Sequence, residues 1–156
     1  MIIQTSSVTV TEQDIANLES IVGHPIPEPY RSFLKETNGG QIAAGPYCYY
    51  FTSHRGEDGS FVRYFLRLMP EDAIGTISDL LCDQGYWYPP AMLPIAQDGF
   101  GNALLLGLAT PYLGEIFFWQ HDYDGDEDNP WDGTSWVAES FDGFLNKLFD
   151  DASSND

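Results

Sequence analysis

The feature that most constrains the fold is a set of three short apolar runs separated by two turns that contain glycine. Each turn is so short that its flanking strands must be antiparallel, because parallel strands need a crossover of about a dozen residues or more. Glycine suits such turns because it adopts positive φ without steric cost. The pattern predicts an antiparallel meander with strands at residues 92–97, 103–109 and 115–120 and turns at 98–102 and 110–114.

Helix signals precede this meander. Thr11 and Asp14 form a capping-box pattern, with Asp in place of Glu, and the apolar residues that follow at helical spacing stop at Gly23. A second helix is predicted to begin at residues 27–28, since proline suits the first helical turn. It is predicted to end at residues 38–40 (Asn-Gly-Gly), because Asn and Gly accept the left-handed cap conformation.

A further helix signal follows the meander. Ser140 is expected to cap a final helix whose apolar residues are Phe144, Leu145, Leu148 and Phe149. Helices at both ends of a consecutive antiparallel sheet predict an α+β fold, with a single layer of helices packed around the sheet. The chain is expected to form one domain over residues 1–149, followed by a disordered acidic tail at 150–156.

The middle of the chain predicts further short elements. Residues 46–52 are rich in aromatics and predict a strand, whereas 54–60 carry turn residues. Residues 61–69 alternate, so the even-numbered side chains are expected to face one side and the odd-numbered ones, including Arg67, the other, with one face in the core and one partly solvated. Residues 70–85 predict short helices, and residues 136–138 predict one last strand.

The charge of the chain restricts its partners. It has 24 acidic residues against 6 basic ones, for a formal net charge of −18 over 156 residues. Binding to free nucleic acid or to an anionic membrane surface needs clustered cations, so neither is expected. With 15% aromatic residues the chain is not a disordered acidic segment. Its charge suits a cationic protein partner.

Cysteine use and the N-terminus indicate a cellular compartment. Cys48 and Cys82 allow one disulfide but are too few for a disulfide framework. Both lie among apolar residues, which favours buried free thiols. The N-terminal segment lacks the basic start and apolar run of a signal peptide. No run approaches the ~20 apolar residues of a membrane span. These features predict a cytoplasmic protein.

Motifs for metal binding or catalysis are weak. Asp122, Asp124 and Asp126 have the spacing that begins an EF-hand loop, but neither possible register provides the required glycine or the final glutamate. The three histidines are scattered and lack zinc-ligand spacing, and no nucleophile motif accompanies them. We therefore expect no catalytic residue, no metal site and no cofactor.

The strongest candidates for a binding site are acidic and aromatic. An acidic loop at residues 122–133 is flanked by aromatic residues, and a second aromatic group lies near residue 87. Aromatic anchors beside complementary charge are typical of protein interface hot spots. The predicted partner-binding residues are Asp122, Tyr123, Asp124, Asp126, Glu127, Asp128, Trp131 and Asp132, together with Tyr86, Trp87 and Tyr88. For the aromatic residues among them, a role in the core is an equal alternative.

Four motifs in order resemble the SMI1/KNR4 family of the SUKH superfamily. They are residues 27–40 (PEPYRSFLKETNGG), 93–102 (LPIAQDGFGN), 114–121 (GEIFFWQH) and 140–145 (SFDGFL). The resemblance implies an α+β fold without an enzymatic site. It also implies an immunity protein that neutralises a toxin domain, often a nuclease or deaminase, because bacterial members commonly act in this way.

Three functions remain open from the sequence. The first is an immunity protein that binds a cationic toxin domain through an acidic surface. The second is a general interaction or regulatory module with a partner that is not a toxin. The third, which we favour least, is a hydrolase with an acidic site; it requires converging carboxylates whose pKa values are strongly shifted.

Overall fold

The computed structural model describes residues 1–82, 88–123 and 128–150. In this part of the chain the helices are α1 (Glu12–Val22), α2 (Glu28–Thr37), α3 (Ile77–Cys82) and α4 (Phe141–Lys147). The strands are β1 (Gly40–Gln41), β2 (Tyr47–Ser53), β3 (Gly56–Val62), β4 (Tyr64–Phe65), β5 (Met92–Gln97), β6 (Ala103–Gly107), β7 (Ile116–Trp119), β8 (Thr134–Ala138) and β9 (Phe149–Asp150). None of these helices combines the length and apolarity needed to cross a membrane.

The strands form two antiparallel sheets. A six-stranded sheet has the order β1-β4-β5-β6-β7-β8, and a three-stranded sheet has the order β3-β2-β9. From β4 to β8 each strand pairs with the next one along the chain, which confirms the predicted meander. The α+β fold class is confirmed as well.

One face of the six-stranded sheet packs against the helices and the three-stranded sheet. Leu104 of β6 and Phe118 of β7 belong to this core, together with Phe33 of α2 and Phe144 of α4. The three-stranded sheet contributes Phe51, whose ring stacks on Phe118 with a centroid distance of 4.4 Å. A single core thus joins both sheets to the helices that flank them in sequence.

The helix ends follow the local signals in the sequence. The Thr11 side chain accepts a hydrogen bond from the Asp14 N–H, and the Asp14 side chain accepts one from the Thr11 N–H, so the capping box is complete. Gly23 ends α1 at a φ of 77°. Ser140 caps α4 by accepting a hydrogen bond from the Gly143 N–H. These three predictions are confirmed.

The Asn-Gly-Gly turn after α2 ties the helix to the segment that follows β4. Asn38 is 1% exposed and has a φ of 55°. Its Oδ1 accepts hydrogen bonds from the N–H groups of Leu68 and Met69 at 3.1 and 2.8 Å. Gly39 passes so close to β4 that an added Cβ would lie 2.1 Å from the Leu66 carbonyl oxygen. The turn therefore requires these residue types for packing as well as for helix termination.

A buried arginine connects this turn to the N-terminal segment. Arg67 is 4% exposed and donates two hydrogen bonds to the Asp72 carboxylate, at 2.9 and 2.8 Å. Its guanidinium also lies 3.4 Å from Glu71. Hydrogen bonds from Ser6 and Ser7 lower the pKa of Glu71 to about 2. Charge pairing thus compensates the buried guanidinium and holds the first residues of the chain in place.

Two predictions for the middle of the chain are wrong. Most of residues 54–60, expected to be a turn, belong to β3, because the hairpin turn is confined to the residues after Ser53. The strand expected at 61–69 is interrupted, since the chain leaves the three-stranded sheet after Val62 and joins the other sheet at Tyr64. This change of sheet breaks the alternation, so consecutive residues Phe65 and Leu66 are both fully buried.

Other boundaries also differ from the expectations. Only α3 is helical within the described part of 70–85; residues 83–85 lie outside the described residues. Phe149, expected in the last helix, pairs with Cys48 in β9, and Asp150 of the predicted tail pairs with Tyr47. Residues 151–156 of that tail lie outside the described residues. Cys82 is exposed and Cys48 half-buried, so the expectation of two buried thiols is wrong.

Candidate partner-binding surface

The face of the six-stranded sheet that is turned away from the helices carries a second apolar cluster. Alternate residues of the central strands point to this side, since successive side chains of a strand face opposite ways. We call it the outer cluster: Met92, Ala103, Leu105, Phe117 and Trp119. All five are buried, so this face must itself be covered, and the coverage comes from the connections between strands.

Aromatic side chains from three separate connections cover the outer cluster. Tyr88 meets Trp119 with a centroid distance of 4.9 Å. Trp131 lies 5.4 Å from Phe117 and 4.8 Å from Tyr112, which itself contacts Phe117 at 5.3 Å. Tyr88, from the predicted aromatic group near residue 87, and Trp131, from the acidic loop, are therefore brought to the same side of the sheet.

The described candidates differ in exposure. Asp122 and Asp128 are exposed, whereas Tyr88, Tyr123, Trp131 and Asp132 are half-buried. Tyr86, Trp87, Asp124, Asp126 and Glu127 lie outside the described residues. For Tyr88 and Trp131 the structure shows a packing role, because both cover the outer cluster.

The second half of the acidic loop is held by hydrogen bonds within itself. The Asn129 side chain accepts from the Trp131 N–H and donates to Asp132, in both cases at 3.1 Å. The Thr134 N–H donates to the Trp131 carbonyl at 3.0 Å. The orientation of the Trp131 ring is thereby set by its own loop and by Phe117. A partner that binds this ring would meet a side chain that is already ordered.

The first half of the loop lies beside the β2–β3 hairpin. The Tyr123 ring contacts the His54 ring edge-to-face at 4.9 Å, and an added Cβ on Gly133 would lie 2.7 Å from the Tyr123 Cβ. Gln120 donates a hydrogen bond to Asp122 at 3.1 Å. Tyr123 is therefore separate from the rings over the outer cluster. It connects the acidic loop to the hairpin of the other sheet.

The segment that builds this surface is strongly acidic, and the Lys147 ammonium lies over the Trp136 ring of β8 at 4.7 Å. Residues 68–146 contain 14 acidic residues and no Lys or Arg. Every strand from β5 to β8 and the whole acidic loop lie within this range. The carboxylates of Asp122 and Asp128 are exposed there, so the surface presents an acidic field around half-exposed aromatic rings.

Comparison with known proteins assigns the fold that carries this surface. The sequence model of the SMI1/KNR4 family (SUKH-1) matches residues 9–147. The chain belongs to this family. The match runs from just before α1 to the end of α4 and includes the acidic loop and the outer cluster. A search among curated proteins found no significant match.

Two of the motifs typical of this family have structural roles here. Besides the Asn-Gly-Gly turn, the 98–102 turn is organised by Asp98, which is 6% exposed. Its carboxylate accepts hydrogen bonds from the N–H groups of Phe100 and Asn102, at 2.8 and 3.0 Å, and from the Ser60 hydroxyl at 3.0 Å. These contacts explain why the motifs identify the fold. They do not identify a ligand, which depends on the residues of the surface.

Sequence reasoning missed the most exposed aromatic residues. Phe100 is 71% exposed and Tyr50 62% exposed, more than any aromatic residue described in the acidic loop or over the outer cluster. Phe100 contacts Phe61 of β3 at 5.9 Å, and Tyr50 stacks on Phe149 at 5.2 Å. The alternation in β2 did signal that Tyr50 and Tyr49 point to opposite faces. The alternation alone does not show which of the two faces is exposed.

Proposed function

We propose that this protein is an immunity protein that neutralises a cationic toxin domain by direct binding. The observation that carries the proposal is the acidic loop, which has no Lys or Arg and in which the exposed Asp122 and Asp128 belong to the same loop as the ordered Trp131 ring. Membership of the SMI1/KNR4 family supports it, because bacterial members commonly have this role. A nuclease or a deaminase that acts on nucleic acid would fit, since its substrate groove attracts phosphates.

In this proposal the carboxylates occupy the place of the phosphates that the toxin would bind. Complementary charge mainly raises the association rate, by orders of magnitude at low salt over a neutral pair. The aromatic rings act after encounter, since buried aromatic contacts govern dissociation. The protein needs no catalytic step for this function. We place it in the cytoplasm, where it would meet a toxin that has entered the cell.

The test is a comparison of two variants with equal net charge. Asp122→Asn and Asp128→Asn together remove two exposed charges from the acidic loop. Glu28→Gln and Glu36→Gln remove two exposed charges from α2. With the toxin domain encoded by the neighbouring gene, stopped-flow association should slow about tenfold for the loop variant at low salt, with a flatter salt dependence. The control variant should change the rate much less.

A growth assay separates this function from a general interaction module. Coexpression of the wild-type protein should protect cells from the toxin domain, and the loop variant should protect less at matched expression. Binding without protection would favour the interaction module. Equal rates and equal salt dependence for the two variants would remove the acidic loop from the binding site.

A further inference from the structure

A groove lies between the β2–β3 hairpin and the 98–102 turn. It has a volume of about 240 Å³. β3 forms one wall and is an edge strand of the three-stranded sheet. Phe100 stands at the lip, and the stacked rings of Phe51 and Phe118 lie at the base. The groove thus combines a sheet edge with an apolar floor.

The backbone of β3 presents hydrogen-bonding groups toward this groove. Arg63, directly after β3, donates its N–H to the Gln97 carbonyl of β5 at 2.9 Å and not to β2. Alternate residues of a strand direct their N–H groups to the same side, so Phe61 and Gly59 share that direction. The Gly59 N–H is bonded at 2.8 Å to the side chain of the adjacent, exposed Asp58. A flexible carboxylate therefore occupies the position that a neighbouring strand would take.

We propose that an extended segment of the toxin domain docks in this groove as an added strand beside β3. Strand addition at a sheet edge obtains affinity from main-chain hydrogen bonds and specificity from pockets for alternate side chains. An apolar side chain of the segment would lie between Phe100 and the Phe51–Phe118 pair. The inference rests on the proposed function and names the contact that anchors the partner.

The charges at the groove indicate what the segment carries. The exposed Asp58 lines it, whereas the Asp98 carboxylate is already bonded to the 98–102 turn and Ser60; Asp122 is bonded to Gln120 at its border. Arg55 at the hairpin tip is the single guanidinium among the lining residues in the described part of the chain. A segment with an apolar residue next to Lys or Arg matches this arrangement, because its cation replaces the Gly59 N–H as the partner of Asp58.

Two other occupants fit the groove poorly. The chain's own residues 151–156 (DASSND) follow β9, which lies at the opposite edge of the three-stranded sheet. They have no large apolar side chain for the floor and bring two further acids. A second copy of the chain would approach with a net charge of −18 against −18, and such repulsion opposes self-association.

The experiment uses the full ¹⁵N-labelled chain and the toxin domain encoded by the neighbouring gene. Amide hydrogen exchange at Gly59 should slow about tenfold or more on binding, because its N–H gains a strand partner. Phe100→Ala should weaken the complex about tenfold, as expected for an anchor contact. The matched control is Ile21→Ala, since Ile21 is 69% exposed on α1 and distant in sequence from the groove. It should leave the affinity unchanged.

The outcomes distinguish this inference from the proposed function. If the wild-type chain does not bind the toxin domain, the proposed function is wrong and the groove assignment falls with it. If binding occurs but Gly59 exchange is unchanged, or Phe100→Ala behaves like Ile21→Ala, the groove assignment alone is overturned. The assignment stands only if Gly59 is protected and Phe100→Ala loses affinity.

Discussion

The outer cluster with its acidic loop and the groove beside β3 present aromatic residues in different ways. Over the outer cluster the rings of Tyr88 and Trp131 are half-buried and complete the packing of a sheet face. At the groove Phe100 is 71% exposed and contacts the Phe61 ring in an edge-to-face arrangement. The acidic loop of the first surface contains no Lys or Arg, whereas the groove contains Arg55.

This difference separates two contributions to binding. A surface of uniform charge steers a cationic partner from a distance, and its effect depends on salt. An exposed aromatic beside a sheet edge adds short-range contacts, which determine the dissociation rate. Tyr123 and Asp122 lie between the two surfaces, since Tyr123 contacts His54 of the hairpin and Asp122 is bonded to Gln120 at the groove. The first half of the acidic loop therefore adjoins the groove.

Both surfaces depend on the packing of the fold that carries them, and Gly39 is a sensitive position in that packing. It has a φ of +65°, and an added Cβ would lie 2.1 Å from the Leu66 carbonyl oxygen. Gly39→Val should destabilise the fold by about 3 kcal/mol or more, since strain at such a backbone costs about 1–3 kcal/mol before the clash is counted. Urea unfolding measures the loss.

Gly40→Val provides the graded control. Gly40 has a φ of +127°, but its Cβ would come no closer than 3.3 Å to the side chains of Arg67 and Ile3. The loss should be smaller than for Gly39→Val. Wild-type stability in both variants would show that this turn is not what holds α2 to β4.

Truncating one ring on each surface sharpens the comparison. Trp131→Ala should lower the free energy of unfolding by about 2 kcal/mol, because the ring packs on Phe117 and Tyr112. Phe100→Ala should change it by less than about 0.5 kcal/mol, as expected for an exposed side chain. Thermal unfolding of both variants measures this. Equal losses of stability in the two variants would mean that the rings of the two surfaces contribute equally to packing.

The smallest effect concerns acid stability at a point distant in sequence from the loop and the groove. Hydrogen bonds from Ser6 and Ser7 lower the pKa of Glu71 to about 2, from an ordinary value of 4.5. A lowered pKa in the folded state contributes stability that is present above pH 4.5 and is lost as the pH falls toward 2. Glu71→Gln should therefore be less stable than wild type at pH 6, with a difference that shrinks below pH 4.5.

Urea midpoints between pH 6 and pH 2.5 test this dependence. Glu36→Gln, in an exposed part of α2, serves as the control for loss of one carboxylate. If the difference in stability between Glu71→Gln and wild type stays constant over the whole pH range, folding does not lower the pKa of Glu71.

Local signals determined much of this fold. The Met92–Gln97 strand has both predicted boundaries, and the helix ends at Gly23 and Asn38 are where the sequence places them. Caps and tight turns depend on residues within four positions of each other, so their information is contained in a short stretch of sequence. The acidity of the second half of the chain is a property of composition and needs no structure.

Tertiary structure decided which residues share a surface. That Tyr88 and Trp131 cover one cluster depends on the strand order β5-β6-β7, which places distant connections on the same side of the sheet. Arg67 was expected on a partly solvated strand face, yet it is buried because Asp72 and the Asn38 carbonyl reach it. The groove exists only because the chain crosses between sheets after Val62. Such long-range packing has no signature in adjacent residues, since it depends on elements that meet only after folding.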